Sequence, residues 1–202
     1  MNIIGISGRS GSGKTSVIKQ IRAEFSEEDV CIISLDNYYR NRHDQEIDAL
    51  GYYNFDLMSS FKWDRVVADI KKLKTGKNVL KKQYAFNNED DPITNTYKPS
   101  KVLIVEGIFV LAEPNIWDLL DCSIIIDANI ETCRNRRLTR DVNERNYDRN
   151  EILHRFDNHV LPSFKKLIDP LKPKVNFVLL NEGKLDDVKK KLMEIILSFL
   201  KP

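Results

Sequence analysis

Near the start of the chain, residues 8–15 read Gly-Arg-Ser-Gly-Ser-Gly-Lys-Thr, a spacing that fits the pattern G-x-x-x-x-G-K-[ST]. Glycines let the backbone turn tightly enough to aim several N–H groups at one phosphate chain. In this pattern the lysine adds positive charge and the threonine offers a hydroxyl to Mg²⁺. We therefore predict a site for nucleotide phosphates, with Mg²⁺ on the threonine, made by Gly8, Ser10, Gly11, Ser12, Gly13, Lys14, Thr15 and Ser16.

Two carboxylates stand at the ends of later apolar runs. Asp36 follows the run 30–35, and Glu106 ends the run 102–106. Asp36 could cap a turn, but beside a phosphate site it could accept the proton of an acceptor hydroxyl. Glu106 could be an ordinary residue at a strand end, but it could also hold hydrated Mg²⁺ in the manner of a Walker-B acid. We predict general-base catalysis by Asp36 and metal binding by Glu106.

Residues 133–155 carry seven arginines interleaved with four acidic residues. One interpretation is a solvated helix with weak i,i+4 ion pairs, and another is a nucleic-acid surface, which the interleaved acids disfavour. The interpretation we favour is a lid over about residues 130–155 that brings arginines onto a transferring phosphoryl group and excludes water. Arg137 and Arg140 are then the predicted phosphate contacts.

Between the second and third apolar runs, aromatic and acidic residues could bind a second substrate. An aromatic face can stack on a base, and a carboxylate can accept hydrogen bonds from two ribose hydroxyls. The candidates are Phe55, Asp56, Tyr84 and Phe86, each of which alone is more often a packing residue. The three histidines show no spacing to a nucleophile or a metal partner, so we assign them no function.

The elements that must position these residues follow from short β-branched runs separated by helical stretches. Val17, Ile18, Ile21 and Phe25 recur at helical spacing, so a helix N-terminus would point at the phosphates. The pattern predicts an α/β fold, a five-stranded parallel sheet with helices on both faces and its carboxyl ends along one ligand-binding edge. The predicted strands are residues 2–7, 30–35, 102–106, 123–127 and 175–180.

An insertion at about residues 37–99 interrupts this pattern. Its predicted elements are a helix over residues 63–73 that stops near Gly76, and a hairpin of residues 78–84 and 93–97. Further helices are predicted at 130–144, at 148–168 and at the end of the chain, where the apolar positions indicate core packing. We expect one domain over residues 1–202.

Composition limits the classes of partner and compartment. The 202 residues carry a formal net charge of +2, so the overall balance does not favour a nucleic-acid or membrane partner. Three cysteines, an odd number without metal-ligand spacing, favour a reducing compartment. No apolar run approaches the length of a bilayer span, and no targeting segment precedes the first strand, so we expect a soluble cytoplasmic protein.

Taken in order, these motifs resemble the uridine kinase family of P-loop phosphotransferases, from residue 3 to about residue 182. The resemblance is carried by residues 8–15, by Asp-Asn-Tyr-Tyr at 36–39, by Asn-Phe-Asp at 54–56, by Val-Glu-Gly-Ile at 105–108 and by the run 136–145. It implies transfer of a phosphoryl group from ATP or GTP to the 5′-hydroxyl of a nucleoside. Uridine or cytidine is the nucleoside that we expect before any other. A homo-oligomer is also implied.

The roles that the resemblance implies are specific to positions. Asp36 is the base, Lys14 takes part in catalysis, and Arg137, Arg140 and Arg145 surround the phosphates. Asp56 binds the ribose. The implied acceptor pocket comprises Asp36, Tyr39, Phe55, Asp56, Tyr84, Phe86, Tyr147 and Arg155.

The departures from the family pattern concentrate in the acceptor pocket. Residues 84–91 lack the histidine and arginine that help the family read a pyrimidine. Tyr147 occupies a position where the family has an arginine, and Arg155 occupies one where the family has a glutamine. An alternative acceptor is therefore another nucleoside or small alcohol, such as nicotinamide riboside. An alternative of another class is a nucleotide-dependent regulatory module, which the missing N-K-x-D motif disfavours.

Overall fold

A five-stranded parallel sheet organises the computed structural model, which describes residues 1–84, 94–183 and 185–201. The strands are β1 (Asn2–Ser7), β2 (Val30–Ser34), β3 (Glu46–Ile47), β4 (Tyr53–Asn54), β5 (Val79–Lys82), β6 (Thr94–Tyr97), β7 (Val102–Glu106), β8 (Cys122–Asp127) and β9 (Phe177–Leu180). The α-helices are α1 (Lys14–Glu24), α2 (Trp63–Lys74), α3 (Pro114–Trp117), α4 (Ile130–Arg145), α5 (Arg149–Arg155), α6 (Leu161–Leu167) and α7 (Leu185–Leu200).

The sheet has the strand order β2-β7-β1-β8-β9, and every pair in it is parallel. This confirms the predicted five strands, with three boundaries corrected. β8 begins one residue earlier than predicted, at Cys122. β2 ends at Ser34, because Leu35 begins a 3₁₀ turn in which the Ser34 hydroxyl accepts a hydrogen bond from the Asp36 N–H at 3.3 Å. β9 begins at Phe177, because the Asn176 side chain accepts from the Ser123 N–H at 2.8 Å.

The register of the sheet brings the chemically interesting segments to one level. Glu106 at the end of β7 pairs with Ser34 on one side and with Ile6 on the other. Asp36 follows directly after β2, and the glycine loop follows directly after β1. The carboxyl ends of three adjacent strands therefore deliver both carboxylates and the loop to the same edge.

Helices cover both faces of the sheet, as predicted. α1 and α7 pack on one face through Val17, Ile21, Val188, Leu192 and Ile196. On the other face lie α2, α3 and the helical segments that follow α4. The interpretation of the last helix as core packing is confirmed, since three of its apolar side chains are buried.

The insertion contains the predicted helix α2, which ends just before Gly76, a glycine with φ of +79°. The predicted hairpin is formed by antiparallel β5 and β6. The tract that joins these two strands, residues 85–93, lies outside the described residues. A second, short antiparallel hairpin of β3 and β4 has no counterpart in the sequence analysis, because two-residue strands show no periodicity.

The arginine-rich region begins with α4, which ends at Asn146 in the left-handed conformation with φ of +54°. The single helix predicted at 148–168 is instead three consecutive segments: α5, a π-helical turn at Phe156–Val160, and α6. Pro162 stands in the first turn of α6 and has no N–H to continue an α-helical ladder, which favours a change of hydrogen-bond pattern here.

The cysteines are buried free thiols, and burial raises the pKa of Cys31, Cys122 and Cys133 to about 11. They therefore stay protonated near neutral pH and pack as small apolar groups. Within the described ranges, the structure contains no helix with the length and apolar character needed to cross a membrane.

Candidate active site

A cavity of about 490 Å³ lies at the carboxyl edge of the sheet, between the glycine loop, the start of the insertion and α4. Most of the predicted site residues form its wall. These are Gly8, Ser10, Gly11, Gly13, Lys14, Thr15, Ser16, Asp36, Tyr39, Phe55, Asp56, Arg137, Arg140, Arg145, Tyr147 and Arg155.

Four predicted site residues lie elsewhere. Ser12 is fully buried under the loop, and its carbonyl accepts a hydrogen bond from the Asn181 amide at 2.7 Å. Glu106 lies beneath the cavity as the partner of Lys14. Tyr84 stands behind the wall with its ring 5.4 Å from that of Tyr39. Phe86 falls outside the described residues.

The cavity wall also contains residues that the sequence analysis missed. Arg9, Arg136 and Glu144 stand next to motif residues, so their positions could have been inferred from the motifs themselves. Arg42 and Tyr53 come from the insertion, where no pattern indicated that they would line the cavity. The complete set of additional wall residues is Arg9, Lys19, Arg42, Tyr53, Ile108, Arg136 and Glu144.

The glycine loop holds its shape through two left-handed glycines and the start of α1. Gly11 and Gly13 have φ of +86° and +91°. A Cβ on Gly13 would lie 2.1 Å from the Asn181 amide nitrogen, and one on Gly11 would lie 2.2 Å from the Cys133 carbonyl oxygen. Gly13 caps α1 without any side-chain bond, so the first N–H groups of the helix face the cavity.

Lys14 and Glu106 form a buried ion pair at the base of the cavity, with side chains 12% and 9% exposed. Burial alone would lower the pKa of Lys14, but the carboxylates of Glu106 and Asp36 outweigh burial and raise it. Lys14 therefore remains a cation throughout the neutral range. It stands ready to neutralise a second anion that enters the cavity.

Asp36 lines the cavity, and its side chain is exposed to the open space there. Loss of hydration among the surrounding residues and the nearby Glu106 carboxylate raise the pKa of Asp36, while Lys14, Arg145 and Arg140 act in the opposite direction. A carboxylate with a raised pKa is a stronger base than an ordinary aspartate. This property suits a group that accepts a proton from a hydroxyl.

The oxygen ligands at the cavity base match the chemistry of a hard divalent cation. Thr15 offers a hydroxyl in the cavity wall, and Glu106 and Asp36 offer carboxylate oxygens near Lys14. Mg²⁺ prefers a few such oxygens together with water and substrate phosphates. The donor set therefore fits Mg²⁺.

Three arginines of the lid converge on one buried carboxylate. Asp141, 1% exposed, lies 3.3 Å from Arg137 Nε, 2.7 Å from Arg140 Nε and 3.4 Å from Arg145 Nη1. These arginines therefore do not belong to a solvated face with surface ion pairs, the alternative considered for this helix. Asp141 holds their guanidinium groups at the cavity wall.

The far wall of the cavity is aromatic around one buried carboxylate. Tyr39 stacks on Phe61 with ring centroids 4.4 Å apart and meets Phe55 edge-on at 5.5 Å. Burial raises the pKa of Asp56, and Arg137, His159 and Arg155 counter that effect. An aromatic surface next to a carboxylate can hold a ring and a diol.

Arg155 is held between two aromatic rings and an acid. Its guanidinium carbon lies 5.6 Å from the ring centroids of both Tyr52 and Tyr147, and its Nη2 lies 2.7 Å from Glu151. Its Nε is buried without a hydrogen-bond partner among the described residues. The side chain is thus fixed at the cavity wall, with its Nε enclosed by protein.

The histidines have partners that the sequence did not reveal. His154 and His159 both contact one carboxylate oxygen of Asp48, at 2.7 Å and 2.8 Å, although more than a hundred residues separate them from it in sequence. His43 lies at the surface, 3.5 Å from Asp44.

The cavity combines a glycine loop that can bind phosphates, a basic carboxylate and a wall that contains several arginines. Such a site can transfer a phosphoryl group. Together with the parallel sheet, this site makes the protein a P-loop phosphotransferase. Sequence comparison narrows the class. The chain matches the Phosphoribulokinase / Uridine kinase family over residues 3–185 and belongs to that family.

Individual relatives agree with this membership. A uridine kinase of Clostridium perfringens is 30% identical over 200 residues, which cover 96% of this chain and 95% of the relative. A uridine kinase of Schizosaccharomyces pombe is 36% identical over 83% of this chain, which spans only 38% of that longer relative. The solved phosphoribulokinase of Rhodobacter spheroides shares the fold, with a TM-score of 0.55 at 18% identity over 82% of this chain and 67% of that one.

Substitution of Gly13 by alanine should weaken ATP binding, because the new Cβ would combine a left-handed backbone with a clash against Asn181. A non-glycine residue in this conformation costs about 1–3 kcal/mol before any clash. Gly76→Ala is the matched control, since Gly76 also has positive φ, +79°, but no atom within 4 Å of an added Cβ. Calorimetric titration with ATP measures the difference, and equal affinities in the two variants would contradict the clash.

Substitution of Asp141 by asparagine should lower kcat by roughly 10²-fold, because the three guanidinium groups lose the charge that orients them. ATP affinity should not fall, since the cavity becomes more positive. Steady-state kinetics and ATP titration separate the two effects. Asp157→Asn, which removes the partner of the exposed Arg134 at 2.6 Å, is the control and should change neither quantity. Weaker ATP binding at unchanged kcat would show that Asp141 does not orient the arginines.

Proposed function

We propose that this protein is a nucleoside kinase that transfers the γ-phosphoryl group of ATP or GTP to the 5′-hydroxyl of a nucleoside, with uridine or cytidine as the first choice. The observation that supports this most strongly is that one cavity contains a phosphate loop, a basic carboxylate at Asp36 and an aromatic wall around Asp56. The named relatives are uridine kinases, which favours the same acceptor class.

In the proposed reaction the backbone of the glycine loop holds the donor phosphates, and Lys14 balances their charge. Asp36 accepts the proton of the 5′-hydroxyl while the oxygen of that hydroxyl forms a bond to the γ-phosphorus. The bond between that phosphorus and the bridging oxygen of the β-phosphate breaks, and a nucleoside diphosphate leaves. Arg137, Arg140 and Arg145 stabilise the charge on the transferring group and exclude water from it.

The residues that would hold Mg²⁺ are Thr15 and Glu106. When bound, Mg²⁺ neutralises charge on the donor phosphates. Because Lys14 pairs with Glu106 in this structure, the lysine offsets the charge of the Glu106 carboxylate before the nucleotide arrives. The chain thus presents a charge-balanced site to an anionic substrate.

On the acceptor side, we assign Asp56 to the ribose hydroxyls and the ring faces of Tyr39 and Phe55 to the base. Tyr84 supports Tyr39 from behind. Tyr147 and Arg155 close the opposite side, where the guanidinium group of Arg155 can donate to a carbonyl oxygen of the acceptor. Phe86 remains a predicted contact from the tract outside the described residues.

A second acceptor class has support from the same wall. Tyr147 and Arg155 in this wall depart from the pattern by which the family reads a pyrimidine. Another nucleoside or a small alcohol, nicotinamide riboside among them, is therefore the alternative. The positive charge of Arg42 and Arg155 disfavours the cationic ring of nicotinamide riboside within this class. A purely regulatory module is less consistent with this site, because binding alone does not need Asp36 beside an arginine lid. A cytoplasmic location, a homo-oligomer and the absence of nucleic-acid or membrane partners stay predictions.

A panel of acceptors tests this proposal. Purified protein with ATP and Mg²⁺ is incubated with uridine, cytidine, purine nucleosides, nicotinamide riboside and small sugar alcohols, and acceptor-dependent ADP release is measured. We expect the highest kcat/KM for uridine or cytidine. A clear preference for another alcohol would select the alternative, and release of ADP without dependence on any acceptor would refute a nucleoside kinase.

Replacement of Asp36 by asparagine should lower kcat by roughly 10²- to 10⁴-fold, because the hydroxyl loses its proton acceptor. ATP binding should be retained, since Asp36 is not part of the glycine loop. Asp44→Asn, at an exposed position of the same segment, is the control. Full turnover by Asp36→Asn would exclude Asp36 as the base.

The pH dependence of kcat should report the raised pKa of Asp36. The base acts only when deprotonated, so the rate should rise with pH and level off above a midpoint that lies higher than 3.8, the ordinary value for aspartate. Lys14 should not limit the rate on the alkaline side of neutrality, because its pKa is raised as well. A pH profile of kcat in the wild type and in Asp36→Asn measures this, and an acid limb that persists in the variant would assign the titration to another group.

A further inference from the structure

Behind the acceptor wall, two imidazoles and a carboxylate meet outside the phosphotransfer machinery. His154 Nε2 lies 2.7 Å and His159 Nε2 lies 2.8 Å from Oδ2 of Asp48. One such ligand atom from each residue lies within 4.8 Å of the other two. The side chain of His159 is 3% exposed, while those of Asp48 and His154 are 19% and 24% exposed.

Local backbone structure on both sides produces this convergence. Asp48 sits in the turn between β3 and β4, where its Oδ1 accepts hydrogen bonds from the N–H groups of Leu50 and Tyr52 at 2.9 Å each. This arrangement fixes the side chain and leaves Oδ2 directed at the two histidines. The turn therefore fixes the orientation of the Asp48 carboxylate.

The π-helical turn aligns the two histidines. Residues five apart in a regular α-helix point roughly 140° away from each other, so His154 and His159 could not share a target. The π turn at Phe156–Val160 changes this spacing and brings both rings to one side, with centroids 5.7 Å apart. π turns inside helices occur frequently at functional sites.

We propose that Asp48, His154 and His159 form a binding site for a zinc ion. Two imidazole nitrogens and one carboxylate oxygen are ligands that Zn²⁺ prefers, whereas Mg²⁺ and Ca²⁺ select oxygen-only sites. The site is separate from the residues that we assign to phosphoryl transfer and does not depend on the identity of the acceptor.

The geometry needs only a small adjustment to hold the ion. The present separations are those of hydrogen bonds, and tetrahedral Zn²⁺ with bonds of about 2.0–2.1 Å keeps its ligand atoms about 3.3 Å apart. Each contact must therefore open by about half an ångström. Asp48 lies on a different element from the histidines. Asp48 and His154 are partly exposed while His159 is buried, so the hairpin can move outward by this amount, and a water molecule can take the fourth position on the exposed side.

A neighbouring amide bears on the tautomer of one ligand. The Asn158 amide nitrogen donates to the His154 carbonyl oxygen at 2.9 Å and lies 3.1 Å from His154 Nδ1. With zinc on Nε2, the Nδ1 of His154 carries the proton, so the amide nitrogen must move away from Nδ1 and a water molecule can accept this proton.

Zinc at this position would tie the β3–β4 hairpin to the segment that follows α5. Tyr53 of that hairpin lines the cavity, and Asp56 lies close enough to His159 for their charges to interact. The bound ion would therefore hold the acceptor wall in place from behind. Its role is structural support of the acceptor side rather than chemistry on the phosphoryl group.

Metal titration of the full chain tests the proposal without any need for turnover. Chelator-treated protein is titrated with Zn²⁺ alone by calorimetry, in excess Mg²⁺ to occupy oxygen-only sites. Co²⁺ replaces zinc in a parallel experiment, because four-coordinate Co²⁺ has intense visible bands. We expect one ion per chain and a four-coordinate Co²⁺ spectrum.

Variants assign the ion to its ligands. His154→Ala and Asp48→Asn should each weaken zinc binding by more than about tenfold, since even residues that only support a ligand cost about 10- to 100-fold. His43→Ala removes the remaining histidine, which lies outside the cluster, and should bind zinc as the wild type does.

Several results would overturn the site. These are no saturable zinc binding by the wild type, equal affinity in His154→Ala and Asp48→Asn, or a six-coordinate Co²⁺ spectrum. Circular dichroism without metal checks that each variant is folded. Asp48→Asn keeps the Oδ1 acceptor for the turn, so it remains informative if another variant unfolds. Failure of the kinase assay with intact zinc binding would refute the proposed function alone, and the converse result would refute the zinc site alone.

Discussion

The parallel register of β2, β7 and β1 is the constraint on which the rest of the structure depends. Because Glu106 is level with both Ser34 and Ile6, the ends of three strands lie side by side, and the segments that follow them share one small volume. The apolar core on both faces of the sheet holds this register against the repulsion between Glu106 and Asp36. Lys14 then lies where it can compensate both carboxylates.

Two acidic side chains hold the main cationic side chains of the cavity in position. Lys14 is held by Glu106, and the three lid arginines are held by Asp141. An anionic substrate therefore meets cations that are already oriented, which reduces the reorganisation needed during transfer. Asp141 also explains how so many arginines can face one cavity before any phosphate is bound.

The insertion contributes cavity residues that belong neither to the glycine loop nor to α4. Its β3–β4 hairpin brings Tyr53 to the cavity and at the same time places Asp48 against His154 of α5 and His159 of the π-helical turn. The acceptor wall is therefore coupled to a polar cluster behind it. The π-helical turn makes this coupling possible, since it sets the direction of His159.

The sequence by itself determined the sheet, the phosphate loop and the two carboxylates, because hydrophobic periodicity and glycine spacing are local properties of the chain. The boundaries of β2 and β9 differed only where side-chain hydrogen bonds replaced the ladder. Tertiary structure alone decided that Asp141 anchors the arginines, that Arg42 and Tyr53 face the cavity, and that Asp48 meets His154 and His159. These contacts join residues from separate elements, and their geometry depends on short hairpins and on a π turn whose spacing leaves no periodic trace in the sequence.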